Sequence, residues 1–96
     1  MKTAALFREL DPDYGPDNDP WGCAMGVFFA VADELTVRGV QCPEVWRFRP
    51  SPFGQACEGY AYESLQELQP SDAELLHLGA FLHRLTGRLD RAGMSY

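Results

Sequence analysis

The most apolar stretch of the chain lies within DPWGCAMGVFFAVADELTVRG, residues 19–39, where no charge falls between Pro20 and Ala32. Trp21, Met25, Phe28, Ala32 and Leu35 recur at spacings of 4, 3, 4 and 3, which places them on one helical stripe. Cys23, Ala24, Val27, Phe29, Ala30 and Val31 make much of the remaining circumference apolar. The pattern therefore predicts a helix over about 20–38, buried on several sides. Asp19 is placed to cap it, and Pro20 suits the first helical position, where a missing N–H costs nothing. Gly39 fits the left-handed residue that ends a helix, with Val40 packing back on Leu35. Gly22 and Gly26 lower helix propensity, and the use expected of them is close approach of another backbone. The uncharged run of 13 residues falls short of the roughly 18 that a membrane span requires.

A second strong pattern covers SDAELLHLGAFLHRLTGRLDRAG. Leu75, Leu78, Leu82, Leu85, Leu89 and Ala92 repeat at 3-4-3-4-3. Ser71 and Glu74 form a capping box, with Asp72 beside them in the first turn and Arg88 and Arg91 near the other end, as the helix dipole favours. The matching seams predict that helices 20–38 and 72–92 pack antiparallel. A shorter helix is expected over 60–69, stopped by Pro70, with Tyr62, Leu65 and Leu68 or Tyr60 and Ser64 inward. Leu6, Phe7 and Leu10 in the N-terminal AALFREL fit either a helical turn or a docked strand. In VQCPEVWRFRP, Trp46 and Phe48 alternate with Arg47 and Arg49, so one short strand or hairpin near 45–49 is allowed, bracketed by Pro43 and Pro50. Residues 11–20 and 50–59 read as loops. The fold class is thus a mainly α single domain, 1–96.

Composition narrows the function classes. Eight basic against fourteen acidic residues give a net charge of −6, which argues against a mainly electrostatic nucleic-acid binder. The N-terminus lacks the flanks and apolar length of a signal peptide, so a cytoplasmic protein without a membrane partner is expected. Cys23, Cys42 and Cys57 form no CxxC pair and have no His at zinc-finger spacing, which favours reduced thiols.

Candidate chemistry is sparse. The loop DPDYGPDNDP has oxygen ligands in number, but neither register satisfies a calcium loop. From Asp17, Trp21 and Phe28 occupy ligand positions 5 and 12; from Asp11, Gly15 and Pro16 fall at 5 and 6. Turn formation accounts for its composition. His77 and His83, six apart, lie about 240° apart around a helix and cannot share a metal from one face. A Cys57–His nucleophile has no local signature. His77, Phe81, Arg84, Arg88 and Arg91 share a face of the last helix, suited to an acidic partner or to solvent. No catalytic or metal-binding residues and no cofactor are assigned.

The stretches DPDYGPDNDPWGCAMGVFFAVADEL and SDAELLHLGAFLHRLTGRLDRAGMSY, with WRFRPSPFG between them, resemble small uncharacterised proteins of actinobacteria and their phages. The resemblance implies an accessory protein that acts by binding a host factor. Small size, acidity, aromatic-bearing loops and the lack of catalytic motifs favour a non-enzymatic protein-binding module, such as an inhibitor of a defence nuclease. Trp46, Arg47, Phe48, Arg49 and Phe53, read as exposed, are the expected contacts. The alternatives are a metal-dependent protein or enzyme using the 11–19 aspartates or Cys57, and a structural homo-oligomer.

Overall fold

The computed structural model describes residues 1–46 and 55–94, with 55–58 described by their helical backbone alone. Among these residues there are four helices: α1 (Thr3–Leu10), α2 (Pro20–Val37), α3 (Gln55–Leu68) and α4 (Asp72–Arg91). The two principal helices fall where the apolar periods place them. Of the other two, one settles an open alternative and one starts earlier than expected. The N-terminal segment is a two-turn helix, because Leu6, Phe7 and Leu10 then share one buried face. α3 begins at Gln55 rather than near 60, so Cys57 lies inside a helix and not in a loop. Glu44 and Val45 form a turn, closed by the Trp46 N–H donating to the Pro43 carbonyl at 3.0 Å. The rest of the strand expected near 45–49 lies outside the described residues, among which no strand occurs.

α2 is the centre of the bundle. Twelve of its eighteen residues are buried, so its apolar circumference is used on several sides, against α3 and α4. At its C-terminus Arg38 donates to Glu34 (2.9 Å), to the Pro70 carbonyl (2.6 Å) and to Asp72 (3.0 Å), tying it to the start of α4. Midway along, Phe28 faces His83, with ring centroids 6.3 Å apart. One pair lies at the end of α2 and the start of α4, the other further back on α2 and further on along α4, so the two helices run antiparallel. α1 instead runs beside α4 in the same direction. The Met1 ammonium pairs with Glu74 at 2.7 Å, and Phe7 meets Phe81 at 5.7 Å. α3 is held to α2 by the Tyr62 hydroxyl donating to Asp33 and by Gln66 donating to Glu34 at 3.4 Å. Its buried line is Ala61, Ser64 and Leu65, while Leu68 and Tyr60 are exposed. Among the described residues no helix is long and apolar enough to cross a membrane.

The ends of the principal helices follow local chemistry. Gly39 and Gly93 both take positive φ, 77° and 76°. In each case the next residue donates back five positions, Val40 to Leu35 and Met94 to Leu89, both at 2.9 Å. The capping box closes reciprocally: Glu74 N–H donates to Ser71 Oγ at 3.1 Å and Ser71 N–H to Glu74 Oε1 at 2.9 Å. Asp19 accepts from Gly22 N–H at 3.2 Å while itself left-handed, φ 51°. A Cβ on Gly22 would lie 2.3 Å from the Asp19 carboxylate. Gly22 therefore makes room for the cap, which corrects the reading of this glycine as an approach point for another helix.

The inward line of α4 departs from the strict 3-4 seam. Leu75, Leu78, Gly79, Leu82 and Thr86 are buried, whereas Leu85 and Leu89 are half-buried and Ala92 is exposed. At about 100° per residue, Thr86 lies about 20° from Leu75 around the axis and Leu85 about 80° away. The buried Thr86 hydroxyl is satisfied by the Leu82 carbonyl at 2.9 Å. The same drift turns Phe81 and Leu85 away from α2 and toward α1.

Candidate functional site

Trp46 is a core residue and not an exposed contact. It is 6% exposed, next to Val45 at 64%. Its indole meets Phe28 edge-on with centroids 5.5 Å apart, and its six-membered ring packs against Gly79 of α4. A Cβ on Gly79 would stand 2.1 Å from the ring. The glycine is a seat for the indole, and Trp46 pins the loop after α2 to the bundle. Arg47, Phe48, Arg49 and Phe53, the other expected contacts, lie outside the described residues. The side chain of Cys57 is likewise not described.

The aspartate loop is tied down by its own groups. Asn18 Nδ2 donates to the Asp13 carbonyl at 2.8 Å, and the Cys23 thiol donates to the Asn18 carbonyl at 3.1 Å. Asp13 and Asp17 are exposed, Asp19 caps α2, and Asp11 turns inward. Among the described residues no group of three or more His, Cys, Asp or Glu is placed to hold a metal ion.

Asp11 is the feature that sequence reasoning missed. It is 7% exposed, and its Oδ2 is closed to solvent with no hydrogen-bond partner among the described residues. Burial pushes its carboxyl above the ordinary carboxylate value, and the neighbouring charge of Asp13 pushes the same way. The Cys23 thiol and a backbone hydrogen bond from Asp13 oppose them. An orphaned carboxylate oxygen is an exception among buried polar groups and points to function more often than to stability. It borders a cleft of about 400 Å³ between α1, the loop after it and α4, walled by Phe7, Tyr14, Phe81 and Leu85, with Arg8 at its edge. Phe7 sits between the other two rings, 5.0 Å from Tyr14 and 5.7 Å from Phe81, tilted by 53° and 60°. Burial, then the Asp11 charge, raises the Tyr14 phenol, and Arg88 counters both. One sequence signal was available: Phe7 and Phe81 are aromatic positions on amphipathic helices that the principal seam does not use.

Beside this cleft, the solvated half of α4 carries a second concavity of about 480 Å³, lined by His83, Arg84, Gly87, Arg88 and Arg91. The strip expected from His77 to Arg91 is therefore divided. Phe81 belongs to the contact with α1, and His77 is exposed. The arginines at 84, 88 and 91 stay together in water, with no ion-pair partner among the described residues. Searches against protein-family models, curated proteins and solved structures find no match for this chain.

Proposed function

We propose that the chain is a small non-enzymatic protein-binding module whose contact face is the C-terminal half of α4, and that it recognises an acidic segment of a partner protein. The observation that carries this reading is the segregation of charge. Arg84, Arg88 and Arg91 line one shallow concavity without carboxylate partners among the described residues, in a chain of net charge −6. Internal neutralisation was available to a protein with fourteen acidic residues, and among the described residues these three cations do not use it. Arginine is favoured at protein contacts because its planar fork holds carboxylates bidentately. The overall negative charge favours a protein over a nucleic acid as partner. The resemblance to small proteins of actinobacteria and their phages supports a host factor as that partner, a defence nuclease among the candidates.

The test is affinity capture from such a host with the parent and with Arg84→Glu/Arg88→Glu, read by mass spectrometry, followed by calorimetry on the purified partner. Both variant positions are exposed, so the fold should survive, as circular dichroism would verify. A partner retained by the parent and lost by the variant, with affinity falling as salt rises, is the expected outcome. Equal retention by both proteins would remove the strip from the binding face.

A further inference from the structure

We infer that the cleft between α1 and α4 is a binding site for an alkylammonium group. This inference concerns a different site from the arginine strip and does not depend on it. A carboxylate that is only 7% exposed and has an oxygen without a hydrogen-bond partner among the described residues calls for a donor. Asp11 itself is among the residues that line the cleft. The rest of the wall suits an organic cation better than a neutral donor. Phe7, Tyr14 and Phe81 stand mutually tilted rather than stacked, so ring faces and edges are offered at several angles. An ammonium within about 6 Å of a ring face is attracted by its quadrupole, and more strongly when desolvated. Leu85 and the ring carbons would take the methylene stem. The volume, about 400 Å³, is within the range of small-ligand pockets.

The charged groups around the cleft are Asp11, Asp13, Arg8 and, through Tyr14, Arg88. Both arginines are exposed and screened by water, whereas Asp11 is sealed from it. The buried carboxylate therefore dominates the field that an entering cation meets. A free polyamine and a lysine side chain of a partner share this chemistry.

The experiment is a titration of the full chain with n-butylammonium, spermidine and a capped lysine amide, followed by calorimetry and by amide chemical shifts. Saturable binding is expected, with shifts centred on Asp11, Tyr14 and Phe81. Asp11→Asn, checked for folding by circular dichroism, should weaken binding about tenfold or more, the loss of a charged hydrogen-bond acceptor. Preference for spermidine assigns the site to free amines, and preference for the capped lysine assigns it to a side chain. Arg84→Glu/Arg88→Glu should keep the probe, so this inference and the proposed function fail separately. The inference is overturned if none of the three probes binds saturably, if shifts centre away from the cleft, or if Asp11→Asn binds as tightly as the parent.

Discussion

Trp46 and Asp11 sit on the two loops that flank α2, and each is almost closed to solvent, at 6% and 7% exposure. Their surroundings differ. Trp46 is met edge-on by Phe28 and its six-membered ring packs against Gly79, so its apolar surface is fully used. Asp11 borders a cleft walled by aromatic rings and lies beside a thiol, and one of its oxygens has no donor among the described residues. Equal burial thus has opposite meanings. An apolar group with complementary partners stabilises the bundle. A polar group without them costs free energy in the folded state, and it is tolerated most readily where something else, such as a ligand, supplies the missing contact.

The comparison can be broken at its apolar side first. Trp46→Ala should lower stability by about 3–5 kcal/mol, the range for a buried aromatic. Chemical denaturation would measure this directly, and a loss below about 1 kcal/mol would mean that the indole is not part of the core. Gly79→Ala comes next. The added methyl collides with the indole at a cost of about 1–3 kcal/mol, against a helix-propensity gain of about 1 kcal/mol. A net loss is expected in the parent. In the Trp46→Ala background the collision is gone, so the same substitution should become neutral or stabilising. That reversal of sign in a double-mutant cycle is the most specific check of the seat.

The polar side gives smaller effects of opposite sign. Asp11 has a raised pKa in the folded state, so the native protein holds its proton more tightly than the unfolded chain does. The penalty for its charge is absent below the ordinary value of 3.8 and grows as pH rises through the raised value. Asp11→Asn should therefore stabilise the protein at pH 7 by on the order of 1 kcal/mol, an advantage that fades toward pH 4. Equal melting points at both pH values would show that Asp11 carries no such penalty. Glu74 sharpens the contrast as a half-buried surface carboxylate with full partners. The Met1 ammonium, then the Ser71 backbone N–H and hydroxyl, hold its pKa down at about 2. Its contribution is present above pH 4.5 and is lost as pH falls toward 2. Glu74→Gln should flatten that limb of the stability–pH curve slightly, and an unchanged curve would discount the pairing.

Local signals carried much of the architecture. The Asp19 cap, Pro20, the Ser71–Glu74 box, Gly39 and Gly93 act within a few residues of chain, so their outcome could be read from spacing alone. The two long apolar periods then required a pair of packed helices. The start of α3 was not legible, because the strong turn residues Pro52 and Gly54 stand close before it and its own apolar pattern is weak. Trp46 was misread for a related reason. Alternation beside two arginines looks the same for an exposed aromatic strand as for a loop with one inserted ring.

What the sequence by itself determined is where the helices α2 and α4 begin and end, since capping is a property of neighbouring residues; the line that α4 buries followed from packing. Only the tertiary structure decided that α1 lies along α4, that Gly79 receives Trp46, and that Asp11 and Phe81 border one cleft. Those contacts join residues tens of positions apart. Their existence depends on how the helices pack, and a carboxylate or an indole shows no sign of that packing in its own stretch of chain.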